Sequence, residues 1–169
     1  PSEVTPYTAY LLSEICQEIN FPKGVLNIVH GYGHKVGAAI ISHPDTPVIS
    51  FTGGTVTGAK IAEVAAPMFK KLSLELGGKN PNIVFADANF EDALEMAVKA
   101  SFRNQGQICL CGSRLFVEES IYQKFKVAFV EKTKKLKVGD PKENNDLGAV
   151  VSKDHMNKIL EKIEIAKKE

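Results

Sequence analysis

No stretch of the 169 residues stays apolar for the roughly 18 to 20 positions that a membrane-spanning helix needs. The N-terminal segment PSEVTPYTAY has neither the basic nor the apolar region of a secretory leader. A soluble chain without a signal peptide is expected. An excess of one charge is also missing. Lys and Arg number 21 against 20 Asp and Glu, a formal net charge of +1, so there is no general electrostatic case for nucleic acid or an anionic membrane as partner. Cysteine is scarce: Cys16, Cys109 and Cys111 are odd in number and too few for a disulfide scaffold. A reducing, cytoplasmic setting fits. An initiator Met is absent, and the charged helical pattern KILEKIEIAKKE runs to Glu169 without a stop signal. A piece of something longer is expected.

What is present describes a packed α/β chain. Residues are 44% hydrophobic and 24% charged, with 13 Gly and 8 Pro, inside the globular range. Tyr7, Leu11, Leu12, Ile15 and Ile19 recur at helical spacing, and Pro22 with Gly24 closes that helix. A short apolar run at 25–29 reads as a strand, HGYGHKVG as a glycine loop, and 36–41 as a helix. The order then repeats, with a strand at 47–51, a turn at 52–54 and a small-residue helix at 55–66 stopped by Pro67. Two such units call for a parallel sheet with crossover helices, because parallel neighbours cannot be joined by tight hairpins. After the segment 71–76 and Gly77–Gly78 come a strand at 81–85, a helix begun by Asn89, a loop RNQGQICLCG, a strand at 113–117, a helix after Ser120, and a last helix from about Ser152 burying Met156, Ile159, Leu160 and Ile163.

Several residues could carry chemistry. Gly31, Gly33 and Gly37, then Gly53, Gly54 and Gly58, follow strands and open helices. Such loops let backbone approach a phosphate at a helix N-terminus. Neither matches the full dinucleotide fingerprint, so spacing alone favours a pair of tight turns. Cys109 lies in a Gly- and Gln-rich loop, where a reachable thiol can be a nucleophile, against the default of a structural cysteine. Cys111 makes a Cys-x-Cys pair, too tight for a structural zinc site, and no metal is expected. Cys16 falls on the apolar helix face and reads as core. His30 and His34 have metal-pair spacing, but the intervening glycines make them loop residues. Glu75, in the apolar stretch LSLELGG, suits general-base work if partly buried, and is otherwise a strand-edge carboxylate in water.

Three segments then stand in order. LELGGK at 74–79, FTGGTVTG at 51–58, and FRNQGQIC at 102–109 followed by GSR resemble signature segments of the NAD(P)-dependent aldehyde dehydrogenase superfamily, and the resemblance spans essentially the whole chain. Within it the sequence is most similar to the family 8 type, the 2-aminomuconic semialdehyde dehydrogenases. The resemblance implies the second half of a Rossmann-like NAD-binding domain at 1–76 and the first part of an α/β catalytic domain at 77–169. It implies Cys109 as nucleophile and Glu75 as general base. It assigns Gly33, Gly37, Phe51, Gly53, Gly54, Thr57, Gly58 and Leu76 to the cofactor, with Gly54 standing where many relatives carry Ser. Glu3 matches the acidic residue near the adenine ribose, which points to NAD over NADP because a carboxylate repels a 2′-phosphate. Arg103 is a candidate for a substrate carboxylate, with a surface salt bridge as its alternative.

By the same resemblance the substrate is a small aldehyde, oxidised to its acid through a thiohemiacetal and a thioester on Cys109, and full-length relatives are homo-oligomeric. The family's oxyanion Asn, an adenosine-ribose Lys and a nicotinamide-ribose Glu fall outside this chain. Losing one oxyanion donor costs about two to three orders of magnitude in rate. The chain alone is therefore expected to be weakly active or inactive, and a clear NADH signal from it would contradict that. The rival expectation is a truncated product acting only by binding, for instance by pairing with full-length subunits.

Overall fold

A computed structural model describes residues 1–169 as two compact units, Pro1–Glu75 and Leu76–Glu169. The first unit opens with α1, Tyr7–Glu18. None of its residues is buried, and the apolar positions Tyr7, Leu12 and Ile15 are exposed. Cys16, expected in the core, is half-buried and lines a cavity of about 660 Å³ with Pro22 and Leu26. The run 25–29 is not a strand. Val25, Leu26 and Val29 are exposed, and the one backbone bond Val25 donates goes to the Pro22 carbonyl, as in a turn. Apolar composition supplies a surface to bury, but a strand also needs a neighbour to take its N–H and C=O groups.

A wide helical turn at Gly33–Gly37 leads into α2, Ala38–Ser42. Strand β1, Val48–Gly53, α3, Thr55–Ala65, and strand β2, Lys71–Leu76, follow. Thr52 and Gly53, expected in the turn, belong to β1. The two strands are sheet neighbours, and the Lys71 N–H donates to the Pro47 carbonyl at 2.9 Å. Both strands therefore start at the same end, with α3 as the crossover between them. Ile49, Ile61 and Ala65 form the buried core of this unit, with Phe51, Leu72 and Leu74 packed on it. α3 gives way at Pro67 to a tighter turn, Ala66–Met68, since proline cannot donate into the helix.

The second unit repeats the strand, helix, strand order. β3, Pro81–Val84, pairs in parallel with β4, Arg114–Val117, in the register Pro81 to Arg114 through Val84 to Val117. α4, Phe90–Phe102, connects them. It begins at Asn89, whose side-chain oxygen accepts the Glu91 and Asp92 N–H groups at 3.1 and 3.3 Å. α5, Glu119–Thr133, starts before Ser120, because Glu118 takes the cap position and ties its carboxylate to the Ala86 N–H and the Ser120 hydroxyl. Val84, Leu94, Ala97 and Phe125 are the buried centre, where the Phe125 ring meets Phe90 edge-on at 5.6 Å.

α6, Lys153–Ala166, is capped by Ser152 as expected, but it buries none of its residues. Met156 and Ile159 are half-buried, and Leu160 and Ile163 are exposed. Its apolar stripe has little to pack against in this structure. The first unit thus holds a two-stranded sheet of β1 and β2, and the second a two-stranded sheet of β3 and β4. No helix is long and apolar enough to cross a membrane.

Candidate active site

The loop between α4 and β4 carries Cys109. α4 stops at Arg103, whose ψ of 135° leaves the helical region. Asn104, Gln105 and Gly106 then follow with φ of 51°, 56° and 73°. Three consecutive left-handed residues, two of them not glycine, store backbone strain of the kind that persists only where surrounding contacts impose it. Here they do. Gln105 donates through Nε2 to the Gly148 carbonyl at 3.3 Å and Gln107 donates to the Gln105 side-chain oxygen at 2.9 Å. Gln107 Oε1 also lies 3.1 Å from His155 Nε2 on α6.

Beyond Gln107 the chain turns sharply, closed by the Cys111 N–H donating to the Ile108 carbonyl at 2.9 Å. The thiols divide by position. Cys109 at the turn is exposed; Cys111 is buried and directs its S–H at the Arg103 carbonyl, 3.9 Å away. Cys111 anchors the loop while Cys109 projects from it. Gly112 packs directly on β3 and α4: a Cβ there would come within 2.9 Å of Asn82 Cβ and 3.5 Å of Ala100 Cβ. Its N–H donates to the Ala100 carbonyl at 3.0 Å. Arg103 is exposed and forms none of the four salt bridges of the chain, so the surface ion pair considered for it is not made.

In the first unit, β1 runs into α3 through Gly54. No side chain caps α3; the Gly54 carbonyl accepts the Thr57 and Gly58 N–H groups at 3.1 and 3.0 Å. An uncapped helix start with open backbone beside it suits an anion. Gly33, Gly37 and Gly54 have nothing within 4 Å of where a Cβ would sit, whereas Gly53 lies under the Phe51 ring and Gly58 is buried in α3. A cavity of about 620 Å³ is lined by Gly33, Gly37, Phe51 and Thr57, together with His34 and Lys60. Four of the sequence-assigned cofactor residues are thus brought to one cavity. Open glycine backbone, an aromatic wall and a free helix start are the features a dinucleotide requires, so these residues fit NAD.

Other assignments fall elsewhere. Glu3 lines a separate cavity of about 370 Å³ with His30, Gly31 and Tyr32. Glu75 ends the first unit and Leu76 begins the second. Glu75 is exposed rather than partly buried, because it occupies an outward position on β2, whose burial alternates; Leu76 is half-buried. Two participants escaped the sequence reading. Lys60 reaches the cavity from the α3 face, one turn after Val56, and only the small-residue helix pattern hinted at a groove there. Asn80, directly after the LELGGK segment, donates from Nδ2 to the Cys109 and Cys111 carbonyls at 2.6 and 3.1 Å. No local pattern reveals such a link.

Comparison with known proteins places the chain in a family. The profile of the aldehyde dehydrogenase family matches residues 1–169. The chain is 52% identical over 167 residues to the 2-aminomuconic semialdehyde dehydrogenase of Danio rerio, covering 98% of this chain and 34% of that protein. Among solved structures it superposes on HpcC from Thermus thermophilus with a TM-score of 0.96 at 40% identity, covering 99% of this chain and 33% of that one. Betaine aldehyde dehydrogenase from Staphylococcus aureus, solved in complex with NAD+, gives a TM-score of 0.93 at 42% identity, covering 99% of this chain and 33% of that one. The chain spans about a third of the length of the curated relatives it matches. Its fold is accordingly a part of theirs, and the chain belongs to the aldehyde dehydrogenase family.

Proposed function

We propose that this chain supplies the nucleophile, the general base and the principal dinucleotide-facing loops of an NAD-dependent aldehyde dehydrogenase acting on an acidic semialdehyde of the 2-aminomuconic type. The observation that carries this reading is the exposed Cys109 on a turn whose flanks are pinned by Cys111, Gly112 and Asn80. The Cys109 thiolate adds to the aldehyde carbon, forming a carbon–sulfur bond and a tetrahedral thiohemiacetal. Its oxyanion is met by donors such as the Cys109 backbone N–H. NAD, when bound, supplies the acceptor for the hydride leaving that carbon. Gly33, Gly37, Phe51 and Thr57 line the cavity that would hold the dinucleotide, and Gly54 leads into the uncapped start of α3. The thioester on Cys109 is hydrolysed by water from which Glu75 removes a proton, which frees the acid and restores the thiol.

Arg103 supports the acidic substrate class. It sits at the head of the Cys109 loop, exposed and without an ion-pair partner, where a carboxylate on the aldehyde would find a guanidinium fork. The test is NADH formation by a full-length protein carrying this segment. Cys109→Ala abolishes it. Glu75→Gln leaves a first-turnover burst and slows steady turnover by about 10²-fold or more. Arg103→Ala raises KM for acidic aldehydes about ten-fold and leaves neutral ones nearly unchanged; equal effects on both classes would remove the substrate assignment.

A further inference from the structure

The geometry points to Asn80 as the positioning residue of the nucleophile loop, an inference that rests on Cys109 being the nucleophile. Asn80 directly precedes β3, and its own carbonyl accepts the Arg114 N–H at 3.1 Å, so its backbone is fixed by the β3–β4 pair. Its side chain reaches 29 and 31 positions along the sequence to two carbonyls on either side of Leu110. A primary amide has two N–H donors, and the loop presents two acceptors to it. The opposite amide orientation would set Oδ1 against both carbonyl oxygens, so the hydrogen-bond pattern selects this one.

The mechanical consequence is specific. The Cys111 N–H to Ile108 carbonyl bond closes the turn from inside, and Asn80 holds the Cys109 and Cys111 carbonyls from outside. With the peptide after Cys109 unable to rotate, the direction of the Cα–Cβ bond, and therefore of the sulfur, is set. Leu110, between the two held carbonyls, is 82% exposed and contributes no packing of its own. A short loop with so little buried surface around its reactive residue depends on hydrogen bonds for its shape. Misplacing a reacting atom by about an ångström can cost on the order of 10²-fold in rate.

Asn80→Asp keeps the shape and removes both donors, Asn80→Ser keeps one, and Asn80→Ala removes the side chain. In a full-length protein carrying this segment, iodoacetamide at limiting concentration followed by peptide mapping gives the alkylation rate of each thiol. The expected result for Asn80→Asp is a change in the Cys109 rate of at least about five-fold with Cys16 unaffected, a kcat about ten-fold or more lower, and a KM for NAD within about two-fold. Asn80→Ser falls between Asp and wild type. Cys109 rates and kcat within about two-fold of wild type in all three variants would overturn the assignment. So would a general rise in alkylation of Cys16 together with Cys109 and a lowered melting temperature, which would mark Asn80 as a fold residue only. Alkylation needs neither aldehyde nor NAD, so its outcome stands apart from whether the protein oxidises an aldehyde; a wild-type Cys109 no more reactive than Cys16 would instead count against the nucleophile reading itself.

Discussion

Replacing Gly112 with Ala probes how tightly the Cys109 loop is seated. The added methyl would approach Asn82 Cβ to 2.9 Å, Asn82 Nδ2 to 3.2 Å and Ala100 Cβ to 3.5 Å. The first contact is the severe one, and it cannot be relieved by a rotamer change because the Asn82 Cβ is fixed to strand β3. Either the strand or the loop must yield. Overpacking of this kind costs about 1 to 3 kcal/mol, a factor of about 5 to 150 in the folding equilibrium. Urea unfolding followed by far-UV circular dichroism reads that loss as a lower midpoint at constant slope. Gly148→Ala is the matched control: its Cβ would meet only Gln105 Nε2 at 3.9 Å, so it is neutral or slightly stabilising. Because the Gly112 N–H also holds the Ala100 carbonyl, the same variant shifts the alkylation rate of Cys109. An unchanged midpoint together with an unchanged Cys109 rate would refute the close approach of loop and strand.

Other perturbations test the scaffold beneath the loop. Phe125→Ala empties the centre of the second unit, where the side chain is 1% exposed and meets Phe90 and Phe129; a loss of about 3 to 5 kcal/mol is expected in chemical denaturation, and a loss under about 1 kcal/mol would mean that the cluster is not the core. Glu95 is held below the usual carboxylate range by a hydrogen bond and charge from Lys99, with Lys132 adding to it. A carboxylate depressed in the folded state contributes stability above its unfolded value, and that contribution is lost as pH falls through the lower folded value. Glu95→Gln should therefore narrow the stability difference between neutral and acidic pH slightly, the pair being open to solvent.

How much of this was legible in the chain follows a physical line. Asn89 and Ser152 were readable as helix starts because a cap is a contact between residues two or three positions apart. The apolar faces of α4 and α5 were readable because their periodicity matches their burial. Residues 25–29 misled because a strand is a property of two segments, and composition reports only one. Ile159 and Leu160 misled likewise, since an amphipathic stripe states what a helix can bury and not what lies against it. Cys16 followed the stripe of α1, which remains exposed. The glycine and cysteine signatures located the Cys109 loop, yet its left-handed run at Asn104 and Gln105 had only Gly106 as a local sign. Asn80 left none, its partners lying about thirty residues away.

The central claim is that one thiol of three forms a covalent bond with a carbonyl carbon. Mass spectrometry of a full-length protein carrying this segment, quenched in acid during turnover with aldehyde and NAD and then digested, measures it directly. The account predicts an acyl mass on the peptide bearing Cys109 that builds up further in Glu75→Gln, with Cys16 and Cys111 unmodified. An adduct on another residue, or steady NADH production undiminished by Cys109→Ala, would contradict it.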